Sequence, residues 1–282
     1  MSTKLPELLS LPKIDAHCHV LDPERFPYAV DVAYRPAGQE MGDARALAAV
    51  LDFHGVQHAL LVGPNSGYGL DNRCMLDAMA QHTHLGSARF KGIAVVPNDC
   101  SEEMLAAYQQ QGVIGVAFNV SLNGVAYYAD IAALLGRLAR LGMWAQFQVE
   151  GDQLIELMSM IEASGVRVMI DHCGRPSAEA GVRQTGFQAL LALGRAGQAV
   201  VKLSGFAKFS RHGFPFDDVK PFVEALARDF SMQRCIWASD WPYLKGACRL
   251  DYGPMMALFA GMFSLQECEQ IMWQSPKHLL QF

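Results

Sequence analysis

Two histidines separated by one residue, His17 and His19 in Lys13-Ile14-Asp15-Ala16-His17-Cys18-His19-Val20, are the residues best suited to chemistry. Side chains alternate along a β-strand, so both imidazoles are expected on one face, where they can meet one metal ion or one substrate carbonyl. A His-x-His pair is common by chance, and its weight depends on its company. A second apolar run ends in Asp171-His172, and a late one ends in Ser239-Asp240-Trp241-Pro242. Three imidazoles and a carboxylate suit one divalent transition metal, zinc first. Such an ion polarises a carbonyl and brings the pKa of a bound water toward about 7, with Asp240 moving the proton to the leaving group. The same groups also work without a metal. Asp240 then acts as general base on a water, and His17, His19 and His172 donate hydrogen bonds to the developing oxyanion. That version suits a good leaving group, such as the enol of an activated lactone, better than an unactivated amide.

These groups need elements to position them. Short β-rich apolar runs fall at 14–20, 58–63, 92–97, 113–120, 143–149, 167–172, 199–204 and 235–240. Amphipathic helical patterns lie at 43–53, 72–81, 101–111, 128–141, 153–163, 187–195, 217–229, 254–263 and 265–273. Asp71-Asn72 and Ser101 stand where helix N-caps belong, and Gly112, Gly142, Gly165 and Gly197 where helices should stop. A strand-then-helix rhythm with no Pro/Gly/Ser-rich linker predicts one domain over 1–282, a closed parallel (β/α)8 TIM barrel. An open doubly wound sheet is the runner-up, but no Gly-x-Gly-x-x-Gly turn follows the first strand. The run Gly63-Pro64-Asn65-Ser66-Gly67-Tyr68-Gly69 after the second reads as a loop at the barrel mouth. Active sites of closed parallel barrels sit at strand C-terminal ends, and the first and eighth strands become neighbours on closure. His17, His19, His172 and Asp240 are therefore expected at one mouth.

A chain of 282 residues with 51% hydrophobic and 18% charged residues has ample core and no compositional sign of disorder. The formal charge of −5 gives no reason to expect nucleic acid or an acidic membrane as partner. No apolar run reaches the roughly 18–20 residues that span a bilayer. Residues 1–12 lack the basic flank and apolar stretch of a signal peptide, so the expected location is the cytoplasm. Seven scattered cysteines, without a Cys-x-x-Cys pair, read as reduced thiols. Cys18 and Cys173 adjoin site histidines but should point away from them and fill core. His54, His58, His82, His84, His212 and His278 are expected at the surface, with His212, which follows Arg211 after the seventh strand, also a candidate to line the pocket. No Gly-x-Ser-x-Gly elbow, phosphate loop or His-Glu-x-x-His helix is present. Arg175, just past the sixth strand, and Arg211, past the seventh, are candidate anion contacts, because guanidinium groups bind carboxylates bidentately. Asn119, at the end of the fourth strand, is a further candidate substrate contact.

The motifs recur as an ordered set over nearly the whole chain. They are Asp15-Ala16-His17-Cys18-His19-Val20, Phe26-Pro27-Tyr28, Leu70-Asp71-Asn72-Arg73, Ile170-Asp171-His172-Cys173-Gly174-Arg175-Pro176, Val201-Lys202-Leu203-Ser204-Gly205 and Trp237-Ala238-Ser239-Asp240-Trp241-Pro242. This set resembles the lactonase-type branch of the amidohydrolase superfamily, the branch of 2-pyrone-4,6-dicarboxylate lactonase and the sugar-lactone hydrolases. The resemblance implies a (β/α)8 barrel that hydrolyses a lactone or similar cyclic ester. It implies His17, His19 and His172 as the family's histidines, Asp240 as its catalytic carboxylate, and Tyr34, Arg175 and Arg211 as contacts to a substrate carboxylate. Members differ in metal use, the pyrone dicarboxylate enzyme working without metal and some relatives binding zinc. The fifth strand, Trp144-Ala145-Gln146-Phe147-Gln148-Val149-Glu150, offers no lysine to bridge a binuclear centre. Ala117 stands where the pyrone dicarboxylate enzyme has an arginine, and Asn123 aligns near a second. Each charge-assisted hydrogen bond is worth about 1.5–3 kcal/mol, so a substrate with one carboxylate, or a more neutral lactone, is expected instead.

Other readings follow the same residues. A zinc-dependent decarboxylase would share His17 and His19, but Val200-Val201-Lys202-Leu203-Ser204 lacks the extra strand histidine of that group. A lactone isomerase could share the barrel. A non-catalytic binding barrel would have no use for a buried titratable cluster. The expected partner is a small lactone or carboxylate, and Met255-Met256-Ala257-Leu258-Phe259 could cover the barrel or form a contact in a homo-oligomer.

Overall fold

Eight strands hydrogen-bond in sequence order in one sheet: β1 (Lys13–Cys18), β2 (Val56–Val62), β3 (Phe90–Ala94), β4 (Val113–Asn119), β5 (Trp144–Gln148), β6 (Arg167–Ile170), β7 (Ala199–Leu203) and β8 (Cys235–Trp237). Helices intervene, and Cys18 forms a parallel bridge to Trp241, just beyond β8. This is the (β/α)8 barrel that the strand-helix rhythm predicts. The computed structural model describes residues 5–84 and 87–282, so the first four residues of the 1–12 expectation lie outside it. The chain divides into two compact units. One runs to Gly92 and resumes at Ile236–Phe282; the other is Ile93–Cys235.

In the first unit, Ile14, Ala16 and Cys18 are fully buried, as are Leu47 and Leu51 of the helix Ala44–Phe53. Ile14, Leu47 and Leu51 each contribute about 1.5–3 kcal/mol of hydrophobic stabilisation. Asp43 caps that helix, accepting from the Ala46 amide at 2.7 Å. A helix at Leu5–Ser10 carries too few turns for periodicity to announce it. Lys13 holds its C-terminal end: Nζ donates to the carbonyls of Leu8 (2.8 Å), Leu11 (2.6 Å) and Leu9 (3.3 Å). A short ribbon pairs Thr83–His84 with Ser87–Ala88, in a stretch the pattern leaves as connection.

In the second unit, β4 to β7 pair in parallel register, with Ala117 opposite Gln146, Gln146 opposite Met169 and Met169 opposite Val200. The helix Glu102–Gln110 starts at Ser101, whose Oγ accepts from the Met104 amide at 3.2 Å. The helix Ala132–Arg140 buries Leu134, Leu135 and Leu138. Thr185–Arg195 and Lys220–Phe230 pack on each other.

Several boundaries differ from the sequence pattern, and the reason bears on the site. β6 stops at Ile170 and β8 at Trp237, short of the expected 172 and 240. His172 and Asp240 have φ of 50° and 65°, a left-handed backbone that no strand accommodates. Asn72 precedes its helix, Arg73–Gln81, but makes no side-chain cap; Asp71 Oδ1 accepts from the Arg73 amide instead. No helix among the described residues is long and apolar enough to cross a membrane.

Candidate active site

The first unit brings His17, His19 and Asp240 together. His17 Nε2 lies 3.8 Å and His19 Nε2 3.7 Å from Asp240 Oδ1, and all three residues are buried. The two rings share a face as alternation predicts, edge to face with centroids 4.9 Å apart. His19 Nδ1 lies 2.8 Å from the Val62 carbonyl at the end of β2. A carbonyl only accepts, so Nδ1 carries a proton and donates it there, which turns Nε2 toward Asp240. One donor atom from each of the three residues lies within 4.8 Å of the others. Bonds of about 2.0–2.2 Å to a central ion require ligand atoms closer than that limit, so two imidazoles and a carboxylate fit a zinc-type divalent ion.

Backbone bonds hold this cluster where β8 returns to β1. The Asp240 amide donates to the His17 carbonyl at 2.9 Å, and the His19 amide to the Trp241 carbonyl at 2.8 Å. Asp15, fully buried, ties the two segments from behind. Its Oδ1 accepts from the Ser239 amide (2.9 Å) and the His17 amide (3.2 Å), and its Oδ2 from the Tyr252 hydroxyl (2.7 Å). Burial pushes its carboxyl above the usual range, and these hydrogen bonds pull it partly back. Cys18 lies beside it with Sγ 3.7 Å from Ser239 Oγ, and burial pushes its thiol well up, as befits core rather than a ligand. Trp241 packs its ring on Gly42, where a Cβ would come within 2.0 Å of the indole.

The second unit holds His172 in a turn directly after β6. Its Nδ1 lies 3.0 Å from Ser204 Oγ at the end of β7. Gly205, with φ of 67°, lies so close that an added Cβ would stand 2.6 Å from His172 Cβ. Beneath the turn is a buried polar triangle. Lys202 Nζ lies 3.0 Å from Asp171 Oδ1 and donates to Gln146 Oε1 at 2.6 Å, while Gln146 Nε2 donates to Asp171 Oδ2 at 2.8 Å. Gln146 stands on the strand read as lacking a lysine, and the lysine that reaches it comes from β7. Cys173 is buried and its thiol is pushed up to about 12 by burial, again a core residue.

The expected substrate contacts are engaged with protein groups. Arg175 Nη1 donates to Ser121 Oγ at 2.9 Å, and its Nη2 lies 3.2 Å from Glu150. Ser121 Oγ also accepts from Gln148 Nε2 (2.9 Å) and donates to Asn119 Oδ1 (3.0 Å). Asn119 Oδ1 additionally caps a short helical turn through the Leu122 amide. Asn123 donates to the Tyr128 hydroxyl at 2.9 Å. Arg211 is exposed and paired with Glu179 at 3.1 Å, and His212 is exposed beside it. The Tyr34 hydroxyl donates to Glu40, which raises its pKa. Its carbonyl accepts from the Gly67 amide at 2.8 Å, so the expected mouth loop is tied to Tyr34.

Three of the histidines expected at the surface are packed instead, and one of them, His82, has its ring 5.0 Å from that of Phe90. His58 belongs to β2, stacks on Phe282 with centroids 4.8 Å apart, and has its pKa lowered by burial. His54 Nδ1 lies 2.8 Å from the Val50 carbonyl, with its ring 4.7 Å from that of Tyr252. The side chain of His84 lies outside the described residues.

Pattern reading passed over Asp15, Gln146, Lys202, Ser204 and Gly205 as individual contributors. Their signal was a polar residue within an apolar strand, as in Val200-Val201-Lys202-Leu203, which is rare unless the group is partnered inside.

The family model for amidohydrolase matches residues 14–282. A 4-sulfomuconolactone hydrolase of Rhizobium radiobacter is 31% identical over 81% of this chain and 75% of its own length. A 2-pyrone-4,6-dicarboxylate hydrolase of Comamonas testosteroni is 29% identical over 82% of this chain and 76% of its own. A crystal structure from Acinetobacter baumannii, described as a probable 2-pyrone-4,6-dicarboxylic acid hydrolase with citric acid bound, superposes with a TM-score of 0.82 at 25% identity, covering 96% of this chain and 99% of that one. With the family match unbroken from Ile14 to the last residue, the chain belongs to the amidohydrolase family.

Proposed function

We propose that this protein hydrolyses the ester bond of a small lactone carrying one anionic group. The observation that carries the reading is the buried cluster of His17, His19 and Asp240, with the His19 ring oriented toward the carboxylate by the Val62 carbonyl. Relatives named for sulfonated and dicarboxylated lactones support an acidic lactone as the substrate class. His172 is read as the third imidazole, because it follows β6 as His19 follows β1, and C-terminal strand ends of a (β/α)8 barrel face one mouth. Both units are accordingly read as one domain over 1–282, in the cytoplasm.

In this reading Asp240 accepts a proton from the water that attacks the lactone carbonyl carbon. The carbonyl π electrons move onto oxygen, where the histidines stabilise the negative charge. When the tetrahedral carbon re-forms its carbonyl, the bond to the ring oxygen breaks, and Asp240 returns the proton to that oxygen. His17, His19 and Asp240, with His172, would hold a divalent ion, zinc first. When bound, that ion supplies Lewis acidity toward the scissile carbonyl. Arg175, Asn119, Tyr34 and Arg211 are read as lining the substrate path, with Arg175 also paired to Glu150.

The test is a panel of carboxylated, sulfonated and uncharged lactones, with and without chelator, followed by proton release and product analysis. Ring opening to the hydroxy acid is expected. Release of carbon dioxide, or recovery of an isomeric lactone, would replace this reading with a decarboxylase or an isomerase.

A further inference from the structure

The loop after β8 presents Lys245, whose ammonium pairs with no carboxylate among the described residues. Asp240, Tyr243 and Lys245 all have left-handed backbone, with φ of 65°, 69° and 57°. Two successive tight turns fix the loop, the Tyr243 amide donating to the Asp240 carbonyl at 2.8 Å and the Gly246 amide to the Tyr243 carbonyl at 3.0 Å. The first turn keeps its end Cα atoms under about 7 Å apart, and Lys245 lies two residues beyond Tyr243, so Lys245 Cα stands within about 15 Å of Asp240 Cα. The two turns therefore keep Lys245 near the catalytic carboxylate.

Glu40 anchors the loop from the other side. One carboxylate oxygen accepts from the Lys245 amide at 2.5 Å and the other from the Tyr34 hydroxyl. Glu40 binds the lysine's backbone and leaves its side chain to another role. The ammonium stands 5.1 Å from the centroid of the Tyr34 ring, and among the described residues no carboxylate pairs with it. Arg175 and Arg211, by contrast, are each paired with a glutamate. An exposed lysine normally carries no message, but this one has its backbone pinned by a carboxylate and its ammonium held on an aromatic face.

We propose that Lys245 is the anion-recognition residue of the lactone site, selecting a carboxylate or sulfonate borne away from the scissile ester. Glu40 is its positioning residue and sets an upper limit on substrate charge. A second anionic group would approach Glu40 and be repelled, so the preferred substrate is a monoanionic lactone. This inference rests on the lactone-hydrolase reading, and its test separates the two.

The experiment compares K245M, K245R and E40Q with the wild-type enzyme on two substrates, a carboxylated lactone and the same lactone as its carboxamide. Binding of cyclohexanecarboxylate, an unreactive monoanion, is measured in parallel by titration calorimetry, which needs no turnover. For K245M, the ratio of kcat/KM on the anionic over the neutral lactone should fall about tenfold, mainly through KM, and the monoanion should bind about tenfold more weakly. K245R should restore most of the ratio, and E40Q should raise it. A structural role for Lys245 would change both lactones alike. An unchanged ratio or an unchanged Kd for the monoanion in K245M overturns the inference while leaving hydrolysis intact. Weaker monoanion binding in K245M by an enzyme that opens neither lactone rejects the hydrolase reading and keeps the anion role.

Discussion

Asp15 offers the sharpest mutational test of how the site is held together. Replacing it with alanine strands three buried donors: the amides of Ser239 and His17 and the hydroxyl of Tyr252. A buried donor left without a partner costs about 1–3 kcal/mol, for a gross loss of about 3–9. Removing a buried carboxylate returns part of this, because burial already disfavours its charged form. A net loss of about 3–5 kcal/mol follows. The D15N variant keeps an oxygen where both amides donate, and its new NH2 group can donate to a rotated Tyr252 hydroxyl. It should lose only about 1–2 kcal/mol. At about 2 °C per kcal/mol for a chain of this size, D15A should melt roughly 6–10 °C below the wild type and D15N roughly 2–4 °C below it. Thermal unfolding followed by circular dichroism reads both shifts. Because the same oxygen positions the His17 and Ser239 amides, kcat should fall further in D15A than in D15N. A D15A variant that melts within 2 °C of wild type, or a D15N variant that melts below D15A, would refute this account of the anchor.

Two other perturbations follow from single contacts. G205A places a methyl group 2.6 Å from His172 Cβ and strains a left-handed backbone, so His172 must shift. A displacement near 1 Å of a catalytic group lowers kcat by about 100-fold; steady-state kinetics on a protein of native circular dichroism checks this, and wild-type kcat in G205A would exclude His172 from the reaction. Lys13 is buried, and its pKa is lowered from 10.5 to about 8. Between those values the unfolded chain binds more protons than the folded one, so this group makes stability rise with pH across that window. Urea titrations at pH 7.5 and 10.5 should show wild type gaining up to about 2 kcal/mol relative to K13M, and equal pH slopes for the two would contradict the assignment.

Much of the site was legible because its chemistry lies in short motifs at the ends of apolar runs. Alternation put His17 and His19 on one face, and barrel closure put Asp240 beside them. The fold followed from the rhythm of strand and helix. What escaped was what periodicity does not encode. The left-handed turns at His172 and Asp240 end their strands early, and no residue type there announces them. Lys202, Gln146 and Asp171 read as isolated polar residues in three separate runs, and only parallel pairing of β5, β6 and β7 brings them together. Arg175 is a candidate anion contact in the sequence, and its partners Ser121 and Glu150 come from distant segments that no motif links to it. Lys245 carries no motif, and only its contacts with Glu40 and Tyr34 single it out.

The most direct test of the central claim is the turnover number of D240N on the best lactone of the panel, measured by proton release in weakly buffered solution. The asparagine keeps the size of the side chain but cannot take a proton from water. The account predicts a loss of at least about 1,000-fold in kcat, with an unchanged circular dichroism spectrum. Turnover within tenfold of wild type would show that the carboxylate between His17 and His19 is not the group that moves the proton.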